Sequence, residues 1–376
     1  MHSDDHHLTR ILHLARAGIA LTSPNPNVGA VIVANDAVIG EGTHTYAGKK
    51  HAEILAIEQA GERAKGATLY VNLEPCSHQG RTSPCADAVI AAGIRRVVCC
   101  MEDPNPQVAG KGFRKLKAAG IEVEVGRLQE EARQLNEAFA VYIRHRKPLV
   151  TLKSAMTLDG KIALHASPDA HTQGASRTNW ITSEAARAHV QRLRHQSDAL
   201  LTGIGTVLAD DPLLNDRSGL PRRRPLLRVI LDSLLRLPAA SRLAQSAQED
   251  ILVLTSSSDA PKQQALEQKG IRVERIASSR SSADRIDLPT VLHRLGELEI
   301  TSLLIEGGSH LNTAVLNANL ADKVFLYVAP KLFGDDAVPF TAALDQPLTL
   351  AKPRFHHFDE DLALEAYLRD PYRDPA

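Results

Sequence analysis

The order of hydrophobic and polar residues predicts alternating helices and strands in the first part of the chain. Apolar residues at helical spacing over 8–21 predict an amphipathic helix that the proline-rich stretch 23–29 interrupts. β-branched runs over 28–33 and from Val38 onward, joined by Asn35-Asp36, predict a β-hairpin. Further downstream we predict helices over 52–60, 86–92 and 110–119 and strands over 68–73, 96–101 and 121–125. This alternation is typical of an α/β domain.

A domain boundary is predicted at the basic stretch that ends in Pro148. The amphipathic stretch 128–143 precedes it, proline disfavours helix at Lys147, and a β-branched run over 149–155 follows at once. We therefore expect two domains, residues 1–146 and 147–376. In the second we predict strands over 198–203, 227–232, 251–255, 271–276, 301–306 and 323–329, helices over 183–195 and 288–298, and loops over 166–176 and 278–284.

Composition narrows the possible partners. The 376 residues carry 44 Lys plus Arg against 44 Asp plus Glu, so the chain lacks the positive field that nucleic-acid binding requires. No stretch approaches the roughly 18 apolar residues of a membrane span, and the N-terminus is polar. We expect a soluble cytoplasmic protein that acts on small molecules, with no nucleic-acid or membrane partner.

The four cysteines cluster between Cys76 and Cys100, which is no disulfide framework in a chain of this length. Cys99 and Cys100 lie in the continuous apolar run 97–101, which predicts a strand buried on both faces. These two cysteines are therefore expected in the core, which leaves Cys76 and Cys85 for chemistry.

His51, Cys76 and Cys85 are candidate zinc ligands. All three lie where a strand region gives way to a helix, and three protein ligands leave a fourth tetrahedral position open for water. Glu53, two residues after the histidine, is then a base beside that water. The signature of zinc deaminases is His-x-Glu followed by Pro-Cys-x-x-Cys, with two residues between the cysteines. Here eight residues separate Cys76 from Cys85. The alternative is a surface histidine and two core cysteines.

The second half contains one candidate anion site. The run Leu303-Leu-Ile-Glu306 leads into Gly307-Gly308 and a helical stretch, and free amides at such a turn suit a nucleotide phosphate. The alternative is an ordinary glycine turn, because the Gly-x-Gly-x-x-Gly fingerprint is absent. Arg194 and Arg217 can clamp a phosphate, or either can be a surface charge.

The long segment between Cys76 and Cys85 is one of several that resemble a known enzyme family. Segments 25–29, 42–44, 51–53, 73–85 and 103–110 resemble, in order, the deaminase half of the bifunctional riboflavin-biosynthesis deaminase-reductases. The resemblance implies that His51, Cys76 and Cys85 bind zinc and that Glu53 moves protons. Asn27, His44 and His78 lie on turns near this site, where they can contact substrate; Asn27 can instead brace its turn, and His44 can support a ligand.

Segments of the second half resemble the reductase half of the same enzymes. The matching segments are 152–161, 179–183, 194, 198–214, 217, 230–233, 306–308 and 329–331. By this resemblance NADPH is contacted by Ala155, Trp180, Thr206, Asp210, Ser233, Gly308, Ser309, His310, Leu311, Asn312, Thr313 and Ala314. The substrate is held by Thr178, Arg194, Leu214, Arg217 and Glu306, with Lys153 in the same cleft. The stretch 163–175 makes the chain longer than the usual family pattern.

Together the two resemblances imply a cytidine-deaminase-like three-layer domain followed by a dihydrofolate-reductase-like α/β domain. The expected function is deamination of a phosphoribosylaminopyrimidine at zinc, then NADPH-dependent reduction of its ribosyl group to ribityl. We also expect a homo-oligomer. The alternative function is a nucleic-acid or nucleoside zinc deaminase with an accessory α/β domain. A binding scaffold with structural zinc would need a fourth protein ligand.

Overall fold

The structure is a computed structural model that describes residues 3–46, 50–77, 84–164, 180–276, 278–279 and 282–373. The chain divides into two compact units. The first unit contains the residues up to Arg146 together with Pro221–Arg224, and the second contains Lys147–Leu220 and the residues from Pro225 onward. No helix among these residues has the length and apolar character needed to cross a membrane.

The first unit is built on a five-stranded sheet of order β2-β1-β3-β4-β5. Strands β1 and β2 and strands β1 and β3 pair antiparallel, whereas β3, β4 and β5 run parallel. The strands are β1 (Gly29–Ala34), β2 (Ala37–Thr43), β3 (Thr68–Val71), β4 (Arg96–Cys99) and β5 (Glu122–Val125). The helices are α1 (Ser3–Arg16), α2 (Ala52–Ala60), α3 (Cys85–Ala91), α4 (Lys111–Ala118), α5 (Gln129–Leu135) and α6 (Glu137–His145).

Most of the predicted elements of this unit are confirmed, including the hairpin. Asn35 and Asp36 have φ of 49° and 59°, the two left-handed positions of a tight hairpin turn. Cys99 and Cys100 are fully buried, as predicted. The first helix was predicted to residue 21 but ends at Arg16, and Ala20 has a left-handed φ of 63°.

The predicted single stretch 128–143 is two helices. Asn136 separates α5 from α6 with a φ of −120°, which is not helical. Its side-chain oxygen accepts the backbone N–H of Asn27 at 2.8 Å. The amphipathic period continues across the break, so the sequence pattern alone does not reveal it.

The second unit is built on a nine-stranded sheet of order β11-β10-β9-β8-β14-β6-β15-β18-β17. The strands from β11 to β15 in this order are parallel, and β18 and β17 extend the sheet antiparallel. The sheet strands are β6 (Leu149–Thr157), β8 (Ala199–Gly203), β9 (Leu227–Leu231), β10 (Ile251–Thr255), β11 (Arg272–Arg275), β14 (Ser302–Glu306), β15 (Lys323–Ala329), β17 (Ala351–Phe358) and β18 (Asp361–Tyr367).

Helices and two short strand pairs complete this unit. The helices are α7 (Glu184–Gln196), α8 (Ile204–Asp210), α9 (Arg242–Gln245), α10 (Ala260–Glu267), α11 (Leu288–Glu297) and α12 (Ser309–Asn317). The pairs are β7 (Lys161–Leu164) with β16 (Ala337–Pro339), and β12 (Ser278–Ser279) with β13 (Ser282–Ile286). A core of buried aliphatic residues fills the space between the sheet and helices α11 and α12.

One prediction for this unit needs correction, and two strands were missed. The serine-rich stretch 278–284 was predicted as a loop, but its described parts form the β12–β13 hairpin, because backbone pairing does not require apolar side chains. Strands β17 and β18 were not predicted; β17 is a mostly exposed edge strand with little apolar alternation. The predicted loop 166–176 lies outside the described residues.

Candidate metal centre and cofactor cleft

Helix α2 sets the position of His51. The histidine is the residue before the first turn of α2, and it has an extended backbone. A Cβ atom on Gly42 would lie 2.0 Å from the carbonyl oxygen of Ala52, and one on Gly40 would lie 2.2 Å from that of Ala56. Glycines on β2 therefore let α2 pack directly on the strand, which fixes the helix N-terminus and His51 with it.

Cys76 and Cys85 complete a compact group of three donors. His51 Nδ1 lies 3.0 Å from Cys85 Sγ and 3.6 Å from Cys76 Sγ. The three donor atoms lie within 4.8 Å of one another. Cys85 is the first residue of α3, and its backbone N–H donates to Cys76 Sγ at 3.2 Å. One imidazole and two thiols at this separation match a tetrahedral zinc site with one open position.

The electrostatics of the group favour a thiolate at Cys76. Hydrogen bonds from the Cys85 thiol and from His51 outweigh burial and lower the pKa of Cys76 to about 4. The Cys76 thiol and burial raise the pKa of Cys85. A divalent cation in the group would favour the deprotonated form of both thiols.

Glu53 lies in the first turn of α2, beside the three donors. Its side chain is buried, with 3% of the residue exposed. Burial raises the pKa of Glu53 to about 6, although His51 opposes the change, and the carboxyl group hydrogen-bonds with the Cys85 thiol. A carboxyl group that titrates near neutrality can both accept and donate a proton at physiological pH.

His44 and Asn27 support the site through protein contacts. Both ring nitrogens of His44 have partners, the carbonyl of Lys50 at 2.8 Å and the side-chain nitrogen of Asn25 at 3.1 Å, and its ring lies 5.3 Å from that of His51. The Asn27 amide donates to the carbonyl of Leu135 and accepts from the Thr22 hydroxyl. These contacts favour the bracing roles over substrate contact. His78 lies outside the described residues.

In the second unit, open space lies beside three glycines at the carboxyl ends of adjacent parallel strands, and we call this region the cleft. Gly203 ends β8, Gly205 lies in the first turn of α8, and Gly308 precedes α12. A Cβ atom on any of these glycines would meet nothing within 4 Å among the described residues. Ligands of open α/β sheets bind at this edge, where the strand order reverses. Asn312 Oδ1 is also buried there without a hydrogen-bond partner among the described residues.

Glu306 forms the charged centre of this cleft. Arg194 Nε and Nη2 donate to its two oxygens at 2.7 and 3.0 Å, and Lys153 Nζ lies 3.8 Å away. Burial alone would raise the pKa of Glu306, but Arg194 and Lys153 outweigh burial and hold the pKa at about 2. Burial lowers the pKa of Lys153, which Glu306 partly opposes. The cleft thus contains an ionised carboxylate between two cations.

Comparison with known proteins identifies the family. The riboflavin biosynthesis protein RibD of Aquifex aeolicus is 40% identical over 364 residues, which cover 96% of this chain and 97% of that protein. RibD of Escherichia coli is 42% identical over 345 residues, 89% of each chain. The chain belongs to the RibD family. The family model of the RibD C-terminal domain matches residues 148–364, and that of the cytidine and deoxycytidylate deaminase zinc-binding region matches residues 1–101.

Solved RibD structures have the same fold. Acinetobacter baumannii RibD is 39% identical, with a TM-score of 0.82 over 97% of this chain and 98% of that chain. A Thermotoga maritima protein, described as a diaminohydroxyphosphoribosylaminopyrimidine deaminase/5-amino-6-(5-phosphoribosylamino)uracil reductase, is 36% identical, with a TM-score of 0.80 over 97% and 99%. The predicted fold class is confirmed.

Membership of the RibD family establishes the general function. The chain is a bifunctional deaminase and reductase of riboflavin biosynthesis, and zinc and NADPH are its cofactors. The match covers both halves of the chain, so the alternative of a nucleic-acid or nucleoside deaminase with an accessory domain is set aside.

Some of the other residues predicted for the reductase half lie on or just after strands of the same sheet. Ala155 is on β6, Thr206 and Asp210 are on α8, and Ser233 follows β9. Trp180 is 57% exposed. Leu214 is buried with a left-handed φ of 56°, and Arg217 is exposed. Thr178 lies outside the described residues.

The segment 308–314 is only partly open. Asn312 donates to the carbonyl of Phe340 at 2.9 Å, and the Thr313 hydroxyl accepts the N–H of Ala342 at 2.8 Å. Leu311 packs against the aliphatic core. Ser309 is half-buried and His310 exposed, at the start of α12. Ser309 and His310 are therefore at least partly accessible to a ligand, whereas the side chains of Leu311, Asn312 and Thr313 hold α12 in place.

Sequence reasoning missed Arg228, which together with Arg194 anchors the loop carrying Leu214 and Arg217. Arg228 is almost fully buried and donates to the carbonyl of Leu213 at 2.9 Å. Arg194 donates to the carbonyl of Asn215 at 3.0 Å. An arginine inside the apolar run 226–231 is a sequence signal that could have indicated Arg228.

Proposed function

We propose that the first unit deaminates a diaminohydroxyphosphoribosylaminopyrimidine and that the second reduces 5-amino-6-(5-phosphoribosylamino)uracil. These are the two activities named for the Thermotoga maritima relative. The observation that carries the proposal is the group of His51, Cys76 and Cys85 donors with buried Glu53 beside it. Small phosphorylated pyrimidines are thus the proposed substrates.

In the deaminase unit, His51, Cys76 and Cys85 are the proposed zinc ligands. The donor set fits zinc, because imidazole and thiolate are the ligands it prefers. When bound, zinc supplies a water nucleophile at neutral pH by lowering the pKa of that water. Glu53 accepts a proton from the attacking water at a carboxylate oxygen and delivers it to the leaving amino nitrogen. Water enters, ammonia leaves, and the ring carbon keeps an oxygen.

In the reductase unit, the glycine-lined cleft fits NADPH, since missing side chains at Gly203, Gly205 and Gly308 leave room for a close backbone approach. NADPH, when bound, supplies the hydride that reduces the ribosyl carbon. The proposed cofactor contacts are Ala155, Trp180, Thr206, Asp210, Ser233 and the segment Gly308, Ser309, His310, Leu311, Asn312, Thr313 and Ala314. Ala155 lies on β6, Ser233 follows β9, α8 follows β8 and α12 follows β14, and the position of these elements on adjacent parallel strands supports the assignment.

The two arginines of this unit have different proposed roles in substrate binding. Exposed Arg217 is the proposed contact for the 5′-phosphate. Arg194 already donates to both oxygens of Glu306, so it orients that carboxylate and adds positive charge to the cleft. Lys153 and Glu306 face the ribosyl group, and Leu214 and Thr178 complete the proposed set. A cytoplasmic location, a homo-oligomer and domains of residues 1–146 and 147–376 remain predictions.

The test supplies the diaminopyrimidine phosphate to the purified chain with and without NADPH. Without NADPH we expect ammonia release and no further change; with NADPH we expect an equal amount of NADPH oxidation to follow. NADPH oxidation without ammonia release would contradict the proposed order of the two reactions. Ammonia release without any NADPH oxidation would contradict the assignment of the second unit.

A further inference from the structure

The carboxylate of Glu74 binds four backbone amides that are distant in sequence. Its Oε2 accepts the N–H groups of Asp103 and Gly110 at 3.2 and 2.9 Å. Its Oε1 accepts those of Gly112 and Phe113 at 2.8 and 3.3 Å. Glu74 itself is buried, with 3% of the residue exposed. The side chain is therefore the anchor of the loop that joins β4 to α4.

These contacts also cap α4 from outside the helix. The helix begins at Lys111, and Gly110 before it has no side chain to satisfy the first-turn amides. Glu74 supplies the missing acceptor for Gly112 and Phe113. A carboxylate at a helix N-terminus is further stabilised by the helix dipole. Glu74 therefore also fixes the orientation of α4, whose N-terminus points toward the segment just before Cys76.

A second contact joins α4 to the same short segment. A Cβ atom on Gly112 would lie 2.1 Å from the carbonyl oxygen of Pro75, so the helix backbone presses directly on the Pro75 peptide. The backbone N–H of Glu74 donates to the carbonyl of Met101 at 3.1 Å. Glu74 and Pro75 are thus held from three directions. Cys76 follows them immediately and accepts the Cys85 N–H.

We propose that Glu74 is a positioning residue of the deaminase, which fixes the direction from which Cys76 presents its sulfur to zinc. The inference rests on the proposed function, because it needs Cys76 to be a zinc ligand. Groups that orient metal ligands typically change metal affinity or activity about 10–100-fold when they are altered. A carboxylate that only stabilised the fold would change stability and leave the metal geometry as it is.

Glu74→Gln tests the proposal because it keeps the size of the side chain. Its amide would point N–H donors at two of the four backbone N–H groups, so half of the anchor is lost. We expect the zinc dissociation constant to rise about 10–100-fold, and the visible absorption bands of the cobalt-substituted protein to shift. NADPH-dependent reduction of the deaminated intermediate should be unchanged.

Tyr70→Phe is the matched stability control. The Tyr70 hydroxyl donates to Asp4 elsewhere in the same unit, and its loss should lower the melting temperature without moving the cobalt spectrum. Gly112→Ala is the second variant, because its Cβ atom would press on the Pro75 carbonyl and on the Glu74 carboxylate while the charge of Glu74 is kept. It should shift the cobalt bands as Glu74→Gln does, and it decides the question if Glu74→Gln does not fold.

Two results would separate failure of the inference from failure of the proposed function. If the wild-type chain binds cobalt without a thiolate-to-metal charge-transfer band, the zinc assignment itself is wrong. If the wild-type band is present and both variants keep the wild-type spectrum and zinc dissociation constant, the assignment stands and the role of Glu74 is overturned.

Discussion

The metal centre of the first unit and the charged cleft of the second are assembled in different ways. His51 and Cys85 are 34 positions apart, and each is at a helix N-terminus next to the sheet. Arg194 and Glu306 are 112 positions apart and meet only because β14 is inserted between β8 and β6. Short sequence motifs, each at the start of a helix or the end of a strand, therefore specify the first site. The order of strands in the sheet specifies the second.

The largest expected effect comes from Glu53→Gln. Loss of a positioned proton carrier typically costs about 10²–10⁴-fold in rate, so deaminase turnover should fall by that factor. The three zinc ligands are untouched, and zinc content should stay at one per chain. Ammonia release and metal analysis on the same sample provide the measurement.

Reductase turnover on the deaminated intermediate is the internal control for this variant. It should match the wild-type value, because Glu53 belongs to the first unit. Normal deamination by the variant would remove Glu53 from the mechanism, whereas loss of both activities would indicate a folding defect.

The local character of the first site explains why its residues could be predicted from sequence. His51, Glu53, Cys76 and Cys85 follow a motif that places His51 and Cys85 at helix starts and Cys76 after β3, and the structure brings the three donors together. The role of Glu74 could not be predicted, because its partners lie 29 to 39 positions away and are backbone groups that no side-chain pattern marks.

The next effect concerns the cleft. Arg194→Ala leaves the buried Glu306 carboxylate with Lys153 as its remaining cation in the cleft, and small displacements of a reacting group can cost about 100-fold. We expect reductase kcat/KM to fall by about that factor, with a higher KM for the phosphorylated substrate. Arg194→Lys keeps the charge but loses the two-pronged geometry, so it should recover only part of the activity. Unchanged kinetic constants in both variants would refute the role.

The cleft residues illustrate the limit of sequence reasoning. Glycine spacing at Gly203 and Gly205 did not reveal that α8 starts there, and the pairing of Arg194 with Glu306 was not predicted. Hydrophobic periodicity shows that β8 and β14 are strands, but it does not give their order in the sheet. Strand β17 was missed because an exposed edge strand lacks a strong apolar alternation, and β18, which lies between β15 and β17, was missed with it.

Acid should weaken the second unit through Glu306. Its pKa is held at about 2, below the ordinary value of 4.5, so the ionised form stabilises the folded state. This contribution is complete above the unfolded pKa and is lost as the pH falls from about 5 toward about 2. Urea unfolding followed by the fluorescence of Trp180, the one tryptophan of the chain, reports on this unit.

Glu306→Gln is the comparison for this pH series. The variant cannot ionise at this position, so the gap in unfolding free energy between wild type and variant should narrow as the pH falls from about 7 to about 3. A gap that stays constant over this range would show that Glu306 does not carry the acid sensitivity of the second unit.

The smallest expected effect separates the two kinds of cysteine. Cys99 is fully buried on β4, and its thiol donates to the carbonyl of Met101 at 3.3 Å. Cys99→Ala should cost about 1 kcal/mol of unfolding free energy from the small cavity it creates, with zinc content and deaminase turnover unchanged. Cys76→Ala should instead abolish zinc binding. If Cys99→Ala also lost zinc, the metal centre would depend on residues outside the motif of His51, Glu53, Cys76 and Cys85. The first site would then not be specified by short motifs alone, and the contrast with the second site would be wrong.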